Sequence, residues 1–127
     1  MNKQVVEVMD KTKCVELMPV PELLRLAAQA ANVGPVLCYE SQRNCLRIGS
    51  RDSYRLWRPL TCSNDNLLLM AQLGMSVSIE GRTAKAAIVS GGHEASFTSS
   101  DPVSALRQAV LLAAAKQGYK SLQGVAA

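Results

Sequence analysis

The segment from Trp57 to Ile79 constrains the fold of this chain more than any other part of the sequence. A Trp-Arg-Pro-Leu-Thr run leads through a polar turn into a Leu-rich stretch that ends at Gly74, and apolar residues then alternate with serine. The Leu-rich stretch is typical of a helix with Ser63 or Asn64 at its cap position. The alternation is typical of a strand buried on one side. A helix followed directly by such a strand predicts a domain in which helices cover a sheet.

Two further helices have clear boundary signals. Pro21 suits the first turn of one, and Gly34 can adopt the left-handed conformation that ends it. Asp101 at the cap and Pro102 at the first helical position begin the other, which Gly118 is predicted to end. The three helices are predicted at about 21–33, 64–73 and 102–117. The residues predicted to face the core are Leu23, Leu24, Ala27, Ala28 and Ala31, then Leu67, Met70, Ala71 and Leu73, then Val103, Leu106, Val110, Ala113 and Ala114.

Short apolar or alternating runs between the helices predict five or six strands. In the first hairpin, Leu46 and Ile48 lie on one face and Arg47 on the other. The predicted strands are 36–39, 45–48, 54–57, 75–79, 83–89 and 93–97. Hairpin-length connections imply antiparallel pairing, and helices on both faces of one sheet give three layers. The sequence therefore predicts an α+β fold, a three-layer α/β/α sandwich around a small, mainly antiparallel sheet.

The length of 127 residues fits one domain. We expect it to span residues 19–118, with a frayed C-terminal tail at 119–127. Two short apolar runs within residues 1–18 suit either a small hairpin or a loosely held N-terminal arm. No stretch approaches the roughly 20 apolar residues of a membrane span, so we expect a cytosolic protein without membrane contact.

The cysteines and the single histidine favour no metal site. Cys14, Cys38, Cys45 and Cys62 are too far apart for a C-x2-C metal knuckle and too few for a disulfide framework. His93 has no metal-ligating partner at helical or hairpin spacing. We therefore expect four thiols, no metal and no cofactor.

The sequence also favours no catalytic site. Nucleophilic catalysis needs a Ser, Cys or Thr beside a base, and glycoside hydrolysis needs two facing carboxylates. Neither pattern is visible, and Gly91-Gly92 alone indicates a turn rather than a phosphate-binding loop. We expect the protein not to be an enzyme.

Five segments resemble the phage ABA sandwich domain family of small bacteriophage and prophage proteins. They are Leu23–Ala31, Leu56–Thr61, Asn64–Asn66, Leu73–Val77 and Asp101–Val110. The resemblance implies an α/β/α sandwich and a phage or prophage origin, hence a place in the host cytoplasm. It implies no particular activity and no catalytic residues.

The segment from Arg43 to Arg58 is the most basic part of the chain. It holds five arginines and one acid, Asp52, with Tyr54 and Trp57 interleaved. Guanidinium groups bind phosphate and aromatic rings stack on bases, which suits a nucleic acid or a nucleotide. Alternatively, the arginines lie along a rim of the sheet and Trp57 anchors the core. The candidate binding surface is Arg43, Arg47, Arg51, Tyr54, Arg55, Trp57 and Arg58.

Binding of another protein is the function that we expect first. Strand edges near Tyr54 to Trp57, or the N-terminal arm, offer places where another chain can pair. Leu111 and Leu112 widen the apolar face of the last helix, which suits either a homodimer contact or a broader buried face. The resemblance makes a host or phage protein the expected partner, with nucleic-acid or nucleotide binding as the alternative.

Overall fold

The computed structural model describes residues 11–126, and side chains from 14 to 122. A 3₁₀ helix at Lys11–Leu17 precedes three α-helices, which are α1 (Val20–Ala31), α2 (Ser63–Leu73) and α3 (Pro102–Ala126). The six strands are β1 (Val36–Glu40), β2 (Cys45–Gly49), β3 (Tyr54–Trp57), β4 (Met75–Glu80), β5 (Thr83–Ile88) and β6 (His93–Thr98). The α+β class and the antiparallel pairing of all the strands are confirmed.

The strands form two sheets, where the sequence predicted one. Strands β1, β2 and β3 pair in that order as sheet 1, and β4, β5 and β6 pair in that order as sheet 2. Every pairing joins consecutive strands through a short turn. The turn after β3 and the whole of α2 lie between the two sets of three along the chain.

Helix α3 lies at the centre of the core. It packs most extensively against α1, β5 and β6, and residues 109–116 are all buried. Alanines on both sides permit this close approach: Ala109, Ala113, Ala114 and Ala115 in α3, and Ala84 and Ala86 in β5. The opposite face of sheet 2 carries exposed Ser76, Ser78, Lys85 and Ser96. Sheet 2 is thus covered on one face, where helices were expected on both.

Glycine 118 does not end α3. The helix continues to Ala126, so the frayed tail expected at 119–127 is wrong for every residue of it that the structure describes. A Cβ at position 118 would overlap the carbonyl group of Leu26 in α1. This glycine therefore marks a close crossing of two helices.

The ends of the other helices also differ from the prediction. Asn32, with φ 53° and ψ 49°, takes the left-handed position after α1 that was expected for Gly34. Cys62 precedes α2 and makes no side-chain cap, while Ser63, expected there, lies inside the helix and accepts a hydrogen bond from Arg107. The predicted start of α3 is confirmed, because Asp101 Oδ1 accepts from the backbone N–H of Val103 at 3.2 Å.

The core faces are confirmed in α1 and corrected in α2 and α3. In α2 the buried residues are Asn66 and Leu69, whereas Leu67 and Ala71, expected inside, are exposed. Val103 in α3 is also exposed. Leu111 and Leu112 are buried within this chain, which confirms the broader buried face rather than the homodimer contact as the role of these two residues.

The N-terminal segment is only partly described. Residues 1–10, which hold the first half of the predicted hairpin, lie outside the described residues. The second half is a 3₁₀ helix rather than a strand. Its Val15 is fully buried, and Glu16 pairs with Lys116 of α3 at 2.8 Å, so this segment is attached to the core.

Candidate binding face on sheet 1

The strand register decides which candidate residues share a face. Arg47 pairs with Cys38 on one side and Leu56 on the other, while Gly49 pairs with Tyr54. Opposed residues of antiparallel strands point to the same face, and so do residues two apart on one strand. We call the resulting surface the arginine face; it consists of Cys38, Glu40, Cys45, Arg47, Tyr54 and Leu56. Helix α1, which packs against β1 and β2, lies on the other side with Leu46 and Ile48.

Glu40 organises the arginine face. Its side chain is 8% exposed and accepts hydrogen bonds from both Arg43 and Arg47. Arg47 donates from Nε and Nη2 to Oε1, at 3.1 and 2.7 Å. Arg43 donates from Nε to Oε2 and from Nη2 to Oε1, the latter at 3.1 Å. Two-point contacts of this kind fix the plane of each guanidinium group.

Tyr54 completes the arrangement at the edge of the sheet. The guanidinium carbon of Arg47 lies 5.0 Å from the centre of the Tyr54 ring, a cation–π contact. Tyr54 is 45% exposed, and the Arg47 side chain is 33% exposed. The surface therefore presents an aromatic ring and a guanidinium group in fixed orientations to solvent.

The charges of this cluster support one another. Hydrogen bonds from Arg47 and Arg43 lower the pKa of Glu40 below its usual range and outweigh the opposing effect of burial. The hydrogen bond with Glu40 in turn raises the pKa of Arg47. Burial, and then the Glu40 charge, raise the pKa of the Cys45 thiol, which is fully buried.

The remaining candidate residues do not join the cluster. Trp57 is 3% exposed and lies opposite Leu46, so it anchors the core and offers no stacking platform. Arg55 lies on the same side as Trp57 and donates to the Val33 carbonyl at 3.2 Å. Arg51 is exposed in the loop between β2 and β3. The structure thus brings together Arg43, Arg47 and Tyr54 of the seven predicted residues.

Sequence reasoning missed Glu40, because it lies just before the basic segment. The signal was present in the predicted hairpin, where Glu40 and Asn44 close the turn. Antiparallel pairing places Glu40 opposite Cys45, two residues from Arg47 and on the same face. A carboxylate beside two arginines lowers the positive charge available to a ligand.

Arg58 lies beyond β3, beside the first turn of α2. Its backbone N–H donates to Asp65 at 2.8 Å, and its side-chain Nε is buried with no partner among the described residues. The Nε of Arg107 is also buried and has no hydrogen-bond partner among the described residues. The Nη2 of the same side chain donates to Ser63 at 2.7 Å. The charge of Arg58 also lowers the pKa of Cys45, against the larger raising effects of burial and Glu40.

The described part of the chain brings together no cluster of metal ligands. No group of three or more metal-ligating side chains occurs there, and Cys38, Cys45 and Cys62 are free thiols. His93 lines a shallow depression of about 380 Å³ with Ser90, Gln117 and Lys120. Burial and the charges of Lys120 and Lys116 lower its pKa.

Comparison with known proteins finds no match for this chain among family models, curated proteins or solved structures. Within residues 11–126, none of the helices combines the length and apolar character needed to cross a bilayer.

Proposed function

We propose that the protein works by non-enzymatic binding of another protein through the arginine face. One observation carries the proposal: Arg47 is held by Glu40 and by the ring of Tyr54 on a face where both side chains reach solvent. Arg and Tyr are enriched among the residues that dominate binding energy at protein interfaces. Because Glu40 already orients Arg47, less conformational entropy is lost when a partner binds.

The charge of the surface favours an acidic partner. Arg43 and Arg47 share the single carboxylate of Glu40, which leaves this cluster with a surplus of positive charge. The resemblance to phage ABA sandwich proteins supports a host or phage protein as the partner, with binding in the host cytoplasm. An acidic surface on that partner would supply the complementary charge.

Replacement of Tyr54 by Ala tests the proposal, since the side chain is exposed and its loss leaves the core intact. Proteins recovered with tagged wild-type chain from bacterial cells are identified by quantitative mass spectrometry, and the affinity of the recovered partner is then measured with purified components. We expect Tyr54→Ala to weaken binding by about 30-fold, the effect of a central interface residue.

Lys85→Ala is the matched control, because Lys85 is also exposed on the outer face of a sheet but lies in sheet 2. It should leave binding unchanged. A partner that binds the Tyr54→Ala variant as tightly as the wild type would exclude the arginine face as its contact.

Nucleic-acid or nucleotide binding is the second candidate, and one observation favours it. In the described region the side chain of Arg51 makes no hydrogen bond or ion pair, and the chain carries a net charge of +4. A free guanidinium group in the loop that leads to the exposed Tyr54 suits a phosphate next to a stacked base.

Fluorescence polarisation with single-stranded oligonucleotides at several salt concentrations tests this second candidate. Binding should weaken steeply with salt and should be lost with Arg51→Glu. Arg82→Glu, which makes the same charge change in the exposed turn of sheet 2, should retain most of the binding. Equal loss in both variants would indicate a nonspecific effect of net charge.

A further inference from the structure

Strand β4 is an edge strand that nothing protects in the described part of the chain. Its six residues pair with β5 in an unbroken register, from Met75 opposite Ile88 to Glu80 opposite Thr83. Its outer edge pairs with no other described strand, and four of its residues are exposed. It contains no proline, no basic residue and no bulge, which are features by which proteins block an exposed edge, and its one charged residue, Glu80, lies at its C-terminal end.

The other three edge strands each have such a feature. In β1 the register shifts between Val36 and Cys38. In β3 only four residues pair before Pro59, and an arginine occupies the strand. In β6 the Lys116 ammonium group donates to the Glu94 carbonyl at 2.9 Å and so occupies a backbone acceptor. The open edge of β4 is therefore the exception among four.

The sequence of β4 is complementary to itself in antiparallel pairing. If a two-fold axis passes through Val77, Met75 lies opposite Ile79 of a second copy and Ser76 lies opposite Ser78. Apolar residues then meet on the face that covers the core, and serines meet on the polar face. Because the axis is perpendicular to the sheet, both copies keep their helices on the same side.

The residues beside this edge expose apolar surface to solvent in the single chain. Ile79 is 48% exposed, and α2, which packs against β4, exposes Leu67 and Leu68 at 59% and 56%. A stable interface buries at least roughly 1,000 Å² in total. A pair of five-residue strands supplies only part of that area, and the leucines of α2 supply further apolar surface.

We propose that two copies of this chain associate through β4, which pairs antiparallel with itself about a two-fold axis at Val77 to give one six-stranded sheet. The strand order across the dimer is β6-β5-β4 followed by β4-β5-β6 of the second copy. The proposal is independent of the function proposed for the arginine face, which lies on sheet 1.

A pair of charge variants on the polar face of sheet 2 tests the dimer. Ser76→Glu with Ser78→Glu places carboxylates directly opposite one another across the axis, which is unfavourable. Ser96→Glu with Thr98→Glu introduces the same charge on β6, at exposed positions of the same face. Ser78 and Ser96 both lie beside Lys85, so their environments in the monomer match.

Sedimentation equilibrium from micromolar to millimolar concentration gives the readout. We expect twice the chain mass of 13.6 kDa for the wild type and for the β6 variant, and the monomer mass for the β4 variant. A wild type that stays monomeric throughout this range would overturn the proposal. So would a β4 variant that dimerises as tightly as the wild type.

Cross-linking tests the register separately, and it needs no variant that disrupts the dimer. Val77→Cys places two thiols opposite one another at the axis, within the Cα separation that a disulfide tolerates. With Cys14, Cys38 and Cys62 replaced by serine, mild oxidation should produce a covalent dimer. Ser78→Cys in the same background should not, because Ser78 faces Ser76 and not itself. Cross-linking through Ser78 and not Val77 would overturn the proposed axis.

Discussion

Gly118 in α3 lies directly against the main chain of Leu26 in α1, so closely that a Cβ at position 118 would come within 2.7 Å of the Leu26 carbonyl carbon. Backbone atoms cannot move aside as a flexible side chain can. The contact joins two elements separated by most of the chain, and it lies beside the buried segment 109–116 of the central helix. The spacing of α1 and α3 therefore depends on the absence of a side chain at 118.

Gly118→Ala should destabilise the protein, although alanine favours helix. Helix propensity alone would stabilise the variant by about 1 kcal/mol. Overpacking against a rigid neighbour costs about 1–3 kcal/mol, so the clash should dominate. Urea unfolding followed by circular dichroism should show a net loss. Ser121→Ala, at an exposed site in the same helix, should change little. A Gly118→Ala variant more stable than the wild type would mean that the helices separate easily.

Asn66 forms a buried hydrogen bond that positions the start of α2. The residue is 3% exposed, and its Nδ2 donates to the Pro59 carbonyl at 2.9 Å. Asn66→Ala leaves that carbonyl without its donor inside the core, which should cost about 1–3 kcal/mol. Asn64→Ala in the same turn, where the side chain is exposed, is the control and should cost much less. Equal losses of unfolding free energy for the two variants would contradict this role.

The sequence predicted features that are decided locally and missed those decided by distant contacts. The start of α3 was predictable because Asp101 and the backbone it caps are neighbours in sequence. The role of Gly118 was not, because it depends on Leu26. Three consecutive leucines at 67–69 leave the buried side of α2 undecided, and packing selects Leu69.

The candidate site shows the same limit. The alternation of β2 correctly placed Arg47 opposite the core face, because a strand has a period of two residues. The contact of Arg43 and Arg47 with one carboxylate depends on the hairpin register, which pairs Glu40 with Cys45. Composition alone counted five arginines and one acid, and it therefore overstated the charge free to bind a ligand.

The Glu40 cluster should make stability depend on pH in the acid range. The folded-state pKa of Glu40 lies below its ordinary value of 4.5, so the unfolded chain takes up a proton first as the pH falls. The stabilisation is therefore fully present above pH 4.5 and is lost as the pH falls through the lowered pKa.

Unfolding free energies of wild type and Glu40→Gln should differ at neutral pH and converge in acid. Glu22→Gln is a control, since Glu22 also pairs with an arginine three residues away but is 54% exposed. If the difference in unfolding free energy between wild type and Glu40→Gln stays constant with pH, the ion pairs of Glu40 with Arg43 and Arg47 do not stabilise the fold.

His93 should affect stability in the opposite sense to a histidine that gains an acidic partner. Burial, followed by the charges of Lys120 and Lys116, lowers its pKa below the ordinary value of 6.5. The unfolded chain therefore binds a proton at His93 before the folded chain does, and stability falls as the pH drops from 6.5 to the lowered pKa.

Because this is the only histidine in the chain, its ring protons can be followed by NMR without assignment ambiguity. We expect a midpoint below 6.5 in the folded protein and near 6.5 in urea, with the stability loss absent in His93→Gln. A folded-state midpoint above 6.5 would contradict the control of this pKa by burial and the two lysines.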